Sequence, residues 1–586
     1  MPPAVATALA LIAAVCLSAA STAAPMARIE GIEDRSLRAG LAEALGEADP
    51  AEDRFRARER AQDAAERARL WLESQGYYAA VVDPRLDEAQ RPVIRVRPGP
   101  QFTFGSVEVV FDQPAGAPPP EPEARRALGL AVGDPITARG VIDARARVLA
   151  ELRSSGYPDA AEGDHEIIVD HAVDQAFADF LFRTGDFIRF GDPEFAGGLA
   201  ELDPEYIDRL APYEIGEPAS RPALAEFASR LQGLEAIAVA DARLAPAGVE
   251  DENGYRLVDV RADPAPRHRL EGIASYSTDE GIGAEIAWTR RNLFGQAELL
   301  TLAGQLAELE RSVSAEFVAP HWRQYGQELT LFAEAAQERT DAFDQDVVRT
   351  SATLTRQVTE RISASAGVEF STAEIRDARG ERRLNTLSAP IGAAYDGRDD
   401  PLDPRNGVFV DLAAEPGWSF GDNDVRFVRL VGGLRGYRGV SDKIVLAGRV
   451  RVGTLQGASA FRVGVDERFY AGGGGSVRGY AYQSLSPFRP SPITNVLEPF
   501  GGAALAEVSG EVRYRYNERF GAVVFVDGGA ATEDSQPDFG AMRYGAGLGL
   551  RYYPGFGPLR VDIATPLDPR ERDDVVQVYI SIGQSF

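Results

Sequence analysis

Apolar and polar residues alternate along much of residues 267–586, and glycines and turn clusters separate the alternating runs. In one run Leu446 and Val450 share one face, while Arg449 and Arg451 lie on the other. A period of two indicates β-strands, and apolar side chains outside with charges inside are typical of a membrane barrel with a wet lumen. At ~20 residues for each strand and its connection, this region predicts an all-β transmembrane barrel of about 16 antiparallel strands.

The preceding residues, 24–266, carry a different pattern. Three segments with helical spacing are each followed by a glycine, and the three glycines lie about 80 residues apart. Alternating runs near these segments supply strands, so each unit is predicted as β-α-α-β-β, an α+β repeat. The helical segments are 57–73, 142–152 and 221–231, and the strand runs are 93–96, 106–111, 166–169 and 255–260.

The first residues have the features of a secretory signal. An apolar run over 4–20 ends in small residues, and cleavage is predicted after Ala23. Cys16, the single cysteine, would be removed with this segment, and no later run is long enough to predict a transmembrane helix. The predicted division is a signal peptide at 1–23, three repeats at 24–101, 102–184 and 185–266, and a barrel at 267–586.

Composition excludes several function classes. The formal net charge of −27 argues against a nucleic-acid partner, because phosphate binding requires a basic field. His165 and His171 lie six residues apart, which is ~20 Å along a strand and too far for one metal ion. No nucleophile triad has a recognisable signature. We therefore predict no catalytic residue, no metal site and no cofactor, and a protein that is not an enzyme.

One long stretch, 455–500, interrupts the strand pattern and contains the sequence GGGGSVRGY at 472–480. A loop of ~45 residues far exceeds the ~4 to 6 usual between elements, so it is either disordered or functional. A phosphate-binding loop would need Gly-Lys-Ser/Thr, and a nucleophile elbow would need a glycine where Arg478 stands. The planar guanidinium of Arg478 favours carboxylate partners, and Glu511 and Asp527 are the candidates.

These motifs resemble those of the BamA and TamA family of outer-membrane assembly proteins. In that family a VRGY or VRGF loop tip folds back into the barrel, where its arginine meets a glutamate and an aspartate on the inner wall. The resemblance is strengthened by an F-x-D-x-G pattern at 525–529. It is also strengthened by the final aromatic residue, Phe586, which would close the β-signal of the last strand. The residues that match the tip are Val477, Arg478, Gly479 and Tyr480, and those that match the wall are Glu511 and Asp527.

The resemblance implies that the three repeats are POTRA domains, the periplasmic modules of this family. Three modules resemble TamA more than BamA, which has five. The implied function is insertion or secretion of β-barrel proteins or autotransporters at a lateral seam between the first and last strands, near Gly272 and Gly583. The implied partners are the outer-membrane lipid bilayer, unfolded outer-membrane clients and a TamB-like periplasmic protein. The alternatives are a two-partner-secretion transporter or a passive pore.

Overall fold

The computed structural model describes residues 24–48, 51, 53–277, 281–491, 495–554 and 559–582. The predicted signal peptide, Gly583 and Phe586 lie outside the described residues. Within the described ranges, no helix is both long enough and apolar enough to cross a membrane.

The first module is a small sheet covered by two helices. Asp34 and Asp53 cap the two helices by accepting hydrogen bonds from backbone N–H groups of the first turn. The longer helix buries a row of alanines, among them Ala61, Ala64 and Ala68, so its axis can approach the sheet closely. The elements are β1 (Ala24–Pro25), β2 (Arg28–Glu30), α1 (Arg35–Leu45), β3 (Glu47–Ala48), α2 (Arg54–Ser74), β4 (Val81–Leu86) and β5 (Pro92–Arg97).

The second and third modules repeat the order of one strand, two helices and two strands, without counterparts of β1 and β3. In each of the three modules the first long strand and the last strand are neighbours in a three-stranded sheet, in the orders β2-β5-β4, β6-β8-β7 and β9-β11-β10. The predicted β-α-α-β-β repeats are therefore confirmed, although the sequence pattern located only the longer helix of each pair. The elements are β6 (Thr103–Asp112), α3 (Pro122–Arg126), α4 (Ala138–Ser154), β7 (Ala161–Asp170), β8 (Gln175–Arg183), β9 (Phe190–Gly197), α5 (Pro204–Asp208), α6 (Arg221–Gln232), β10 (Ile237–Leu244) and β11 (Arg256–Pro264).

The rest of the chain forms a closed antiparallel barrel, as the sequence predicts. Its first seven strands are β12 (His268–Ser277), β13 (Gly281–Arg291), β14 (Leu299–Ala307), β15 (Glu310–Ala319), β16 (Gln327–Arg339), β17 (Phe343–Gln357) and β18 (Ile362–Asp377). The following segments are β19 (Gly380–Ser388), β20 (Ile391–Asp396), β21 (Asn406–Gly421), β22 (Val425–Ser441) and β23 (Ile444–Gln456). A long loop contains the hairpin β24 (Phe488–Pro490) and β25 (Leu497–Pro499), and the barrel ends with β26 (Ala504–Arg515), β27 (Phe520–Thr532), β28 (Arg543–Tyr552), β29 (Leu559–Pro566) and β30 (Gln577–Ile582).

Two consecutive barrel segments, β19 and β20, are halves of one interrupted strand. Both pair with β18 on one side and with β21 on the other. Pro390 lies between them and has no N–H to donate to the ladder, which explains the break. Counted in this way, the described segments occupy sixteen positions around the barrel.

The two faces of the barrel wall differ in polarity as the alternation predicts. On β29, Val561 and Ile563 lie on the outer face and are 37% and 53% exposed. Their chain neighbours Arg560 and Asp562 lie on the inner face and are 8% and 0% exposed. The outer wall is thus apolar and the inner wall is charged, which suits a barrel surrounded by lipid.

Contacts divide the chain into two compact units, each with its own core. The first holds the first two modules and part of the third. In the second, turns at one end of the barrel contact segments of the third module: Asn292 donates to the Glu201 carbonyl at 3.1 Å, and the Tyr206 hydroxyl donates to the Pro320 carbonyl at 3.2 Å. The second unit comprises Phe195–Ala211, Ser229–Asp241 and Arg261–Phe586.

Candidate functional site

The long loop after β23 folds into the barrel, and its tip is buried. Val477 and Tyr480 are both 0% exposed. Gly472 and Gly479 have φ of +106° and +102°, a region in which other residues are strained. A Cβ on Gly479 would also lie 2.9 Å from the carbonyl group of Thr565, so this position combines unusual backbone geometry with close contact to the wall.

Arg478 is surrounded by three carboxylates. Its Nε and Nη2 atoms bind the two carboxylate oxygens of Asp527 at 2.7 and 3.0 Å. Nη2 also lies 2.7 Å from Glu511 Oε1, and Nη1 lies 3.0 Å from Asp562 Oδ2. The guanidinium stacks on Phe525, with its central carbon 3.4 Å from the ring centroid. The structure therefore brings together Arg478, Glu511 and Asp527, and it adds Asp562.

Further arginines balance these carboxylates. Arg513 Nε lies 2.8 Å from Glu511 Oε2, and Arg551 Nη1 binds Asp562 at 2.5 Å. The three carboxylates and both arginines are nearly inaccessible to solvent. Because a buried charge without a partner is strongly destabilising, each member of this cluster depends on the others.

Glycines on the lumen face of β28 make room for the cluster. A Cβ on Gly545 would overlap the carbonyl oxygen of Arg478, and one on Gly547 would overlap the Phe525 ring. A Cβ on Gly549 would overlap the carboxylate of Asp562. Glycine at every second position of this strand thus allows the loop tip to reach the wall.

The loop tip also binds the last described strand of the barrel. The backbone N–H of Gly479 donates to the hydroxyl of Tyr579 at 3.0 Å, and that hydroxyl donates to the Tyr480 carbonyl at 3.3 Å. Tyr579 belongs to β30 and is only 2% exposed. The same tip therefore touches the wall at β26 to β29 and the strand that borders the seam.

A second cluster holds the base of the loop against another part of the wall. Arg468 Nη1 lies 2.9 Å from Asp377, which also accepts two hydrogen bonds from Arg382 at 2.7 and 2.8 Å. Arg349 on β17 binds Asp466 at 3.0 Å. The wall that binds the tip begins at β23, where Arg449 donates to the Gly475 and Ser476 carbonyls at 3.0 Å. The loop is therefore attached to the wall at β17 to β19 through its base and at β23 to β30 through its tip.

The barrel closes between its first and last strands, β12 and β30. β12 pairs with β13 over ten residue pairs, from His268↔Arg290 to Ser277↔Gly281. With β30, among the described residues, it forms two pairs, Tyr276↔Ile580 and Ser277↔Tyr579. Gly272 pairs with Ile286 of β13, and within the described ranges it has no partner on β30.

The profile of the Omp85 superfamily domain matches residues 292–586, half of the chain. The chain belongs to the Omp85 superfamily. This membership confirms the resemblance to the BamA and TamA family, and it places the protein in the bacterial outer membrane with its modules in the periplasm.

Curated relatives of this Omp85 protein include two outer membrane protein assembly factors named BamA. The protein from Nitratidesulfovibrio vulgaris is 26% identical over 342 residues, which is 56% of this chain and 42% of that protein. The protein from Neorickettsia risticii is 25% identical over 350 residues, 56% of this chain and 46% of that one. The matches thus span less than half the length of these relatives.

Among solved structures, BamA from Haemophilus ducreyi lacking POTRA domains 1–3 superposes with a TM-score of 0.67 at 17% identity. The superposition covers 82% of this chain and 99% of that one. This similarity supports the shared fold of modules followed by a barrel.

Three of the four histidines of this Omp85 protein make structural contacts. The ring of His171 packs edge-on against Phe102, with centroids 5.2 Å apart, and that of His268 stacks on Trp288 at 5.4 Å. His321 Nδ1 accepts a hydrogen bond from the Gly326 N–H at 3.0 Å. Across the described ranges, no group of three or more His, Cys, Asp or Glu side chains could hold a metal ion.

Proposed function

We propose that this Omp85 protein is a TamA-like assembly factor that inserts or secretes β-barrel proteins or autotransporters at the seam between β12 and β30. The observation that carries this proposal is that, among the described residues, β12 forms two pairs with β30 and ten pairs with β13. Each ladder bond contributes only ~0.5 to 1.5 kcal/mol. Both described pairs lie at the end of β12 that leads into the turn to β13, where water can replace the ladder bonds, so separating them is feasible without unfolding the barrel.

An open seam would favour strand addition. Unpaired backbone groups in lipid cost several kcal/mol each, so a separated β12 or β30 edge is a template for any strand that can pair with it. An unfolded client strand would satisfy these groups and would be held in a membrane-spanning orientation. This is the proposed role of the seam.

The loop inside the lumen supports templating over a passive pore. Arg478 and Arg468 attach it to two walls, so the lumen is occupied. Because the tip also binds Tyr579 on β30, we propose that the loop holds the last strand in place until a client arrives. In this proposal Arg478 is a positioning residue, and no step is catalytic.

The three modules would deliver clients. Each presents a three-stranded sheet with two edge strands, and an edge strand can accept an extended client segment by β-augmentation. A TamB-like periplasmic protein is the proposed partner of these modules. The surrounding partner of the barrel is the lipid bilayer.

Depletion followed by comparison of outer-membrane proteomes tests the function. Loss of several barrel proteins or autotransporters, restored by the wild-type gene, would support assembly. Loss of a single exported protein would instead favour a two-partner-secretion transporter. An unchanged proteome would refute both.

A further inference from the structure

A groove of about 510 Å³ crosses the outer face of strands β20 to β23. Small outward residues form its floor: Ala393, Ala414 and Gly432 are diagonal neighbours on β20, β21 and β22, and each is paired across the strands with a larger apolar residue. Larger apolar side chains flank the floor. The outward-facing residues on its sides are Ile391, Leu412, Leu430 and Val452.

Gly432 determines the depth of the groove. A Cβ at this position would lie 3.3 Å from Leu412 Cδ2 and 3.7 Å from Val452 Cγ2, so a larger side chain would fill the space between them. Gly304, on the outer face of β14, has nothing within 4 Å of its Cβ position. The two glycines therefore differ: one forms the floor of a cleft and the other lies on an open surface.

A polar segment bounds one end of the groove. Thr454 donates from its hydroxyl to the carbonyl of Ser535, and Gln456 donates to Thr454 at 2.6 Å. These bonds place the connection between β27 and β28 against the outer wall, where Pro537 lines the groove. The apolar cleft is thus open toward the lipid and is bordered by polar groups beside β23 at this end.

An exposed cation and an aromatic residue lie near the same end. Arg426 pairs with Trp418 across β22 and β21, and both side chains are exposed on the outer face. Arg426 is four residues from Leu430, ~13 Å along the strand. The Trp418 indole N–H donates a hydrogen bond to Asp424 Oδ1 at 2.9 Å, so this nearby carboxylate already has a partner. Aromatic residues at this depth are typical of the membrane interface.

This end lies on the outer side of the membrane. Successive antiparallel strands alternate between the two ends of the barrel, and Asn292 marks the end that contacts the third module. The connection at 422–424 between β21 and β22 therefore lies at the opposite end. Since the modules are periplasmic, Arg426 faces the outer leaflet.

We propose that the groove is a binding site for an anionic outer-leaflet lipid, with an acyl chain along the floor at Gly432 and a phosphate headgroup at Arg426. The apolar lining matches a chain, and the guanidinium matches a phosphate. Binding here would hold β20 to β23 and the connection after β27 in their present arrangement. The site is separate from the loop cluster and does not depend on the proposed assembly function.

Photocrosslinking of the full chain in phosphatidylcholine vesicles tests this site. The vesicles contain a minor fraction of diazirine-acyl phosphatidic acid or, in a second arm, the matching neutral diacylglycerol. Crosslinked peptides are mapped by mass spectrometry, and a heat-modifiable gel shift verifies that each variant is folded. We expect labelling of the β21 and β22 peptides to exceed that of β14.

Two matched pairs of variants locate the two parts of the lipid. Gly432→Leu should reduce labelling by both lipids at least tenfold, whereas Gly304→Leu should not. Arg426→Gln should reduce labelling by phosphatidic acid alone, whereas Arg438→Gln, at the other end of β22, should leave it unchanged. Equal labelling of Gly432→Leu and Gly304→Leu would overturn the site. Equal effects of Arg426→Gln and Arg438→Gln would overturn phosphate recognition, and crosslinks to a second copy of the chain would reassign the groove to a protein interface.

Discussion

Replacing Arg478 with alanine should release the loop tip from the barrel wall. The substitution removes ion pairs to Asp527, Glu511 and Asp562 at 2.7 to 3.0 Å. Removing one partner of a buried pair costs ~3 to 5 kcal/mol. In the variant, Glu511 and Asp562 would still have ion pairs with Arg513 and Arg551. The lower value of this cost, about 3 kcal/mol, therefore applies here. At ~1.4 kcal/mol per tenfold, the open population of the loop should rise about 100-fold.

Hydrogen exchange of the amides in 472–485 measures this change. Arg478→Lys keeps the charge but loses the planar fork, so its exchange rate should fall between wild type and Arg478→Ala. Arg489→Ala is the matched control in the same loop, because its ion pair with Glu533 is exposed and should contribute less than ~1 kcal/mol. Protease access to the loop should follow the same order.

Equal exchange in Arg478→Ala and Arg489→Ala would contradict the anchoring role of Arg478. It would mean that water entering the lumen replaces the lost ion pairs. If exchange rises as expected but a strain carrying Arg478→Ala assembles its clients normally, the anchor exists and its proposed role in assembly is wrong.

Three further predictions concern the modules and the seam. Deletion of residues 24–184 should leave a barrel that refolds in detergent, since domains carry their own cores, but should not complement a deletion strain; complementation would remove the assembly role of these modules. Oxidation of Tyr276→Cys with Ile580→Cys should lock the seam and stop assembly, with reduction restoring it, and full activity after complete crosslinking would exclude a lateral gate. Tyr579→Phe leaves the Gly479 N–H without its acceptor, which costs ~1 to 3 kcal/mol, so exchange at 479–480 should rise while the heat-modifiable gel shift is retained; unchanged exchange would show that water replaces the hydroxyl.

Local patterns of residues were enough to predict several elements of this protein. The alternation of Val561 and Ile563 with Arg560 and Asp562 predicted both a strand and its faces, because neighbouring side chains of a strand point in opposite directions. The recurring helix and glycine pattern predicted the three α+β repeats, and the VRGY motif identified the loop tip. Each strand, helix or loop tip among these features is encoded within a short run of residues, and the repeats are the recurrence of such runs.

Tertiary structure alone decided which inward-facing residues meet. Asp562 lies 84 residues after Arg478, and in the sequence it is one of several charges on an inner wall. Tyr579 and Asp377 likewise became partners of the loop only through the strand register and the path of the chain. A period-two pattern specifies the face on which a residue lies, but it does not specify the neighbours of that residue on other strands. Barrel closure is what brings these side chains together.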